Sequence, residues 1–163
     1  MTRIVFAFFI LVLAAACGRP HYHYIVRHAE KLDDTPYSVL SPAGHERAVE
    51  LASILKSKHI EMIFATPFIR TQETAQPLAT EVNLPIAIYR HNAIDSIVSV
   101  LNQYKNKNIL LVGHSGPIPG IIEKLTDEKI SKIEEGQYDN LYEIKVKGDQ
   151  KTLVIKHYGK STH

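Results

Sequence analysis

The sequence is poor in cysteine. Cys17 is the only one in 163 residues, so an intrachain disulfide is excluded. It is also poor in net charge: 19 Lys and Arg stand against 17 Asp and Glu, a formal +2, too near neutral to suggest a nucleic-acid binder. There is no internal repeat and no low-complexity tract. The apolar run from Ile4 to Leu13 is too short to cross a bilayer comfortably. What remains is a globular composition, 45% hydrophobic and 22% charged, with length for one domain and a proper core.

The first sixteen residues read as a segment apart from the fold. Met1-Thr2-Arg3 gives a positive start, Ile4 to Leu13 an apolar centre, and Ala14-Ala15-Ala16 a small-residue cleavage region. Cys17 follows at once. The arrangement resembles a bacterial lipoprotein signal, in which that Cys becomes the lipidated first residue, although Leu13 stands one step further from Cys17 than usual. The alternative is an ordinary secretory signal with a chance Cys. The expectation is therefore a signal peptide over 1–16, a lipidated Cys17 with a tether to 21, and a domain over 22–163. It implies an exported chain, a cell-envelope lipoprotein or otherwise a secreted or periplasmic protein. Four residues between Cys17 and Tyr22 reach at most about 14 Å, so the fold would start close to the membrane.

Tyr22 to Val26 reads as a strand of Tyr and β-branched residues. It ends on Arg27 and His28, side by side where a buried strand would leave a sheet. A loop from Lys31 to Leu40 precedes a helix opened by Ser41 as N-cap and Pro42 at the first helical position. Glu61 to Ala65 is a second strand, and Thr66-Pro67 is expected to cap a second helix running to about Glu81. Leu84 to Tyr89 is a third strand, and Ile94, Ile97, Val98 and Leu101 mark a third helix. Ile109 to Val112 is a continuous apolar strand, as when both faces are covered. Gly113-His114-Ser115-Gly116 is the turn after it, before a helix carrying Ile118, Ile121, Ile122 and Leu125. Asp127 to Gln137 is polar and irregular. Tyr138 to Lys147 and Thr152 to Tyr158 form a hairpin around Gly148-Asp149. The expected fold is α/β: one three-layer domain with a mostly parallel sheet flanked by helices and an antiparallel hairpin at its edge.

Reactive side chains then fall in three strand-to-helix turns: Arg27 and His28, Arg70, and His114. In a parallel sheet these turns gather on one edge. Two guanidiniums and two imidazoles meeting there suit a phosphoryl group, because arginine forks bind phosphate oxygens bidentately. The turn from Gly113 to Pro117 adds backbone N–H groups and a helix N-terminus.

Val26-Arg27-His28-Ala29-Glu30-Lys31, Thr66-Pro67-Phe68-Ile69-Arg70-Thr71-Gln72-Glu73-Thr74-Ala75 and Val112-Gly113-His114-Ser115 together resemble the histidine phosphatase superfamily, in its phosphoglycerate mutase-like branch. The resemblance implies that His28 is the nucleophile, its second ring nitrogen donating to a backbone carbonyl. It implies that Arg27 and Arg70 clamp the phosphoryl group, and that His114, cationic while phosphate is bound, and Ser115 complete the pocket. It implies a phosphatase acting on a phosphomonoester or phosphoramidate, with no cofactor and no metal. The substrate would be a phosphorylated small molecule or a phosphoprotein. Relatives commonly carry a carboxylic general acid after the third strand. Here Asp95 is the nearby carboxylate, and it reads equally as the N-cap of the third helix. Gly116-Pro117 replaces the Asn-Thr of many relatives. The rival readings are a silent phospholigand-binding module and, more weakly, a mutase-type phosphotransferase. The short segment between Arg70 and His114 leaves no room for a large lid. The remaining histidines, His21, His23, His45, His59, His91, His157 and His163, are read as surface or core. The i, i+2 pair His21 and His23 lacks further ligands for a metal.

Overall fold

The computed structural model describes residues 19–104 and 106–162. The expected leader and Cys17 lie outside the described residues. Among them, six strands form one sheet in the order β3-β2-β4-β1-β5-β6. They are β1 (His21–Arg27), β2 (Ile60–Ala65), β3 (Ile86–Ile88), β4 (Asn108–Gly113), β5 (Asn140–Lys147) and β6 (Gln150–His157). Strands β3, β2, β4 and β1 are parallel, and β5 and β6 complete the sheet in antiparallel fashion. The expected hairpin at the edge is thus present, beside β1, with Gly148 taking φ +60° at its turn.

The alternation along β1 and β4 sorts side chains into two cores. Tyr24, Val26, Leu110 and Val112 pack with Leu51, Leu55 and Leu78 of helices α1 (Pro42–Leu55) and α2 (Ile69–Glu81). Ile25, Ile109 and Leu111 pack on the other face with Ile97, Leu101, Ile118 and Ile122 of α3 (Ile94–Gln103) and α4 (Pro117–Thr126). Ile25, Leu110 and Leu111 are fully buried, which stabilises the fold by roughly 1.5–3 kcal/mol for each such side chain. Covering on both faces fixes the register, because a one-residue slip would send each side chain to the wrong core.

Ser41 caps α1 as expected, its hydroxyl accepting from the Gly44 N–H at 3.1 Å. Gly44 is required there: a Cβ would stand 2.2 Å from the Glu30 carbonyl oxygen, so α1 starts against the loop after β1. The expected cap at Thr66-Pro67 is not formed. Helix α2 starts at Ile69 behind Phe68, whose backbone is extended and whose side chain makes no cap. The Thr66 hydroxyl is instead engaged sideways, 2.8 Å from Thr71 Oγ1 and 2.9 Å from His114 Nε2. The third strand is three residues long where six were expected, because Leu84 and Pro85 form the approach to it.

Candidate active site

Strands β1, β2 and β4 run in register, with Arg27 beside Gly113 and Ala65 beside Val112. Their carboxyl ends therefore open on one edge of the sheet. A cavity of about 580 Å³ lies there, lined by Arg27, His28, Arg70, His114 and Ser115 among others. The four side chains singled out from three distant turns line this single cavity.

His28 is 4% exposed. Its backbone N–H donates to the Gly113 carbonyl at 2.9 Å, tying the turn to β4. Its Nδ1 lies 2.8 Å from the Ala29 carbonyl oxygen. A carbonyl only accepts, so Nδ1 carries the proton and Nε2 keeps its lone pair. Burial lowers the imidazole to about 4, and Arg27, Arg70 and Lys31 add to the effect. The ring is therefore neutral near pH 7. The Ala29 N–H in turn donates to Thr74 Oγ1 at 2.9 Å, anchoring the turn on α2.

His114 lies edge-on to His28, ring centroids 5.3 Å apart. Burial, with help from His28, Arg70, His91 and Arg27, lowers it to about 3. The cations that disfavour its proton are those that would face a bound anion. A dianion among them would reverse the local field and favour the charged imidazole.

The two arginines are held differently. Arg27 donates through Nη1 to the carbonyls of Glu134, Glu135 and Gln137 at 2.8, 2.5 and 3.1 Å. Its guanidinium lies 4.2 Å over the Tyr138 ring. Arg70 donates to the Pro36 carbonyl at 3.0 Å and lies 4.5 Å over the Phe68 ring. In both, Nε is buried and has no hydrogen-bond partner. A buried unpaired donor is costly, and an anion would satisfy it.

Asp95 takes neither role expected of it. Helix α3 is capped by Ala93, so Asp95 stands inside the first turn. Its side chain is 87% exposed and 2.7 Å from Lys124 Nζ of α4. Starting the helix at Ile94 turns Asp95 outward, away from the cavity, where it favours the positive end of the helix dipole.

Several lining residues escaped sequence reasoning. Residues 132–135 form one wall, pinned by Ile133, which is buried in the second core. The absence of an insertion between Arg70 and His114 left the site only part of its openness, because this wall comes from beyond α4. Lys31 and Lys132 add positive charge at the rim. Tyr138, expected as the start of the hairpin, is the platform beneath Arg27. His91, read as surface or core, lines the cavity. A signal for it existed: it stands in the turn after the third parallel strand, on the edge that holds His28 and His114. Among the described residues no group of three His, Cys, Asp or Glu is placed to hold a metal.

A neutral buried imidazole and two partly unsatisfied guanidiniums thus line one cavity on the carboxyl edge of a parallel sheet, an arrangement chemically suited to a tetrahedral oxyanion. A family model of the histidine phosphatase superfamily (branch 1) matches residues 23–91. Over those residues the chain is similar to that superfamily, and its fold agrees with the match. No curated protein matches the sequence. Among solved structures, the protein histidine phosphatase SixA complexed with tungstate superposes with a TM-score of 0.70 at 16% identity, covering 83% of this chain and 96% of that one. A mycobacterial glucosyl-3-phosphoglycerate phosphatase gives 0.69 at 11% identity, covering 86% and 100%. The alpha-ribazole phosphatase from Shigella flexneri gives 0.66 at 16% identity, covering 83% and 96%. At these identities the likeness establishes the shared fold.

Proposed function

We propose that the chain is a phosphatase that hydrolyses a phosphomonoester or phosphoramidate through a phosphohistidine on His28. The observation that carries this reading is the Nδ1 contact with the Ala29 carbonyl. It presents a neutral imidazole whose Nε2 is free to attack, on the wall of a cavity shared with Arg27, Arg70 and His114. The phosphoryl group would pass to Nε2 as the leaving group departs, and water would then attack the phosphohistidine and release phosphate. Arg27 and Arg70 would hold the equatorial oxygens, where charge accumulates. The similar structures named above are phosphatases, in keeping with hydrolysis.

The leader adds a setting. With Cys17 lipidated and residues 1–16 removed, the chain would work at the cell envelope on substrates outside the cytoplasm. Strand β1 has seven residues, so its Arg27 end lies about 20 Å from its His21 end. The cavity would then open away from the anchoring surface.

A second reading is a phospholigand-binding module that turns over slowly or not at all. The outward position of Asp95 favours it, since no carboxylic acid stands where relatives carry one. Incubating the purified full-length chain with a panel of phosphomonoesters and a phosphoramidate separates the two. The phosphatase reading expects turnover, an acid-labile phosphoprotein on rapid quenching, and loss of both in His28→Ala. Turnover that survives His28→Ala would refute it.

A further inference from the structure

We infer that His91 is the proton donor to the leaving oxygen when the substrate is a phosphomonoester. This rests on the phosphatase reading and goes beyond it, because neither the superfamily match nor the shared fold assigns His91 a role.

An alkoxide is a poor leaving group, so breaking the P–O bond of an alkyl ester calls for a proton at that oxygen. The cavity offers few groups able to give one. His28 is committed: Nδ1–H to the Ala29 carbonyl and Nε2 to phosphorus. His114 has Nε2 against the Thr66 hydroxyl and is buried among cations. Lys31 and Lys132 belong to a side-chain type that holds its proton too firmly at neutral pH. Glu134 and Glu135 reach the rim with their carboxylates 67% and 84% exposed and 3.8 Å from Lys132 and Lys31. Asp95 faces away. Histidine is the side-chain type that gives and regains a proton near neutral pH.

The fold holds His91 at this place. The Tyr89 N–H donates to the Ala65 carbonyl at 2.9 Å, and the Tyr89 hydroxyl reaches the Val112 carbonyl at 3.4 Å. The chain is thus fastened to the ends of β2 and β4 just before the Arg90–Ala93 turn, which is closed by a 3.1 Å hydrogen bond. The His91 ring stands edge-on to Phe68 at 5.3 Å and to His114 at 5.9 Å. Phe68 also lies under Arg70. Among the described residues, no hydrogen bond occupies either His91 ring nitrogen, so both are free to serve a ligand.

The steps balance. His28 Nε2 supplies the electron pair of the new N–P bond, and the electrons of the breaking P–O bond go to the leaving oxygen. That oxygen takes a proton from cationic His91 and departs as an alcohol. Neutral His91 then accepts a proton from the water that attacks phosphorus. The N–P electrons return to His28, phosphate leaves, and His91 is cationic again.

The test compares an alkyl phosphate with 4-nitrophenyl phosphate, whose leaving oxygen needs no proton, in wild type, His91→Ala and His91→Gln. Both variants are expected to lose about 10²-fold in kcat/KM on the alkyl ester and less than about threefold on the aryl ester. The retained aryl rate doubles as the control for folding. Equal losses on both esters, or no loss on the alkyl ester, would overturn the assignment while leaving the phosphatase reading intact. A wild-type chain silent on both would overturn the two together.

Discussion

Two buried arginines flank the loop that leaves β1, and they are satisfied in opposite ways. Arg47 gives Nε and Nη2 to the Glu30 carboxylate at 2.8–3.0 Å, Nη1 to the Tyr158 carbonyl at 2.6 Å, and Nη2 also to the Lys160 carbonyl at 2.7 Å. Every nitrogen has a partner, and one partner carries the opposite charge. Arg27 has only carbonyls, all on Nη1, with an aromatic ring beneath it and a bare Nε. A guanidinium surrounded by neutral oxygens retains its full positive field, and one paired to a carboxylate does not. Burial alone does not separate them, at 6% and 3% exposure. The unmet hydrogen-bonding capacity does, and it marks Arg27 for a ligand and Arg47 for the framework.

Substitution should split the pair. Arg27→Ala is expected to lower kcat/KM by about 10²–10³-fold, the usual effect of removing one donor to a developing oxyanion, with a smaller stability loss than Arg47→Ala. A rate within threefold of wild type would break the contrast. Arg47→Ala leaves the Glu30 carboxylate without its partner, and should cost about 3 kcal/mol in denaturant titration, with the folded fraction keeping its kcat/KM. Stability unchanged to within 0.5 kcal/mol, an order-of-magnitude threshold for a surface substitution, would show that the pair is not structural.

The smallest effect sharpens the same distinction among histidines. His23, at the opposite end of β1, is 2% exposed and neither ring nitrogen has a partner. Burial lowers it to about 4, with His21 and Lys151 assisting. Its folded pKa thus lies below the ordinary 6.5, so between these values the unfolded chain binds more protons. Stability should rise with pH across that window and be lost as pH falls below about 6.5. His28 and His114 act in the same direction. His23→Leu should recover about 1–2 kcal/mol of the loss between pH 7 and pH 5. An unchanged pH slope in the variant would count against burial as the cause.

The central strands were legible because their signals are local. Ile109 to Val112 is unbroken and apolar, and Ser41-Pro42 opens a helix by known cap chemistry. Arg27 and His28 were legible as misfits at the end of a core strand. Thr66 misled because a hydroxyl that suits an N-cap can equally hold a histidine of the cavity wall, and only the tertiary structure decides between them. Tyr138 and the 132–135 wall carry no periodicity and acquire their place through Arg27, more than a hundred positions upstream. Asp95 read equally as an acid and as the cap of the third helix, and a cap two residues earlier, at Ala93, leaves it in the first turn instead. His91 was legible only by its place in the turn after β3, because a lone histidine carries no signal of its own.

The Arg47 contacts reach residues 158 and 160, and Asp139 accepts from the Thr162 hydroxyl at 2.6 Å. Strand β1 also waits for β5 as its second neighbour. In folding, therefore, β1 lacks its second neighbour until residues 140–147 take their place beside it. Such non-local closure makes for slow folding and leaves one edge of β1 open to wrong pairing until β5 arrives.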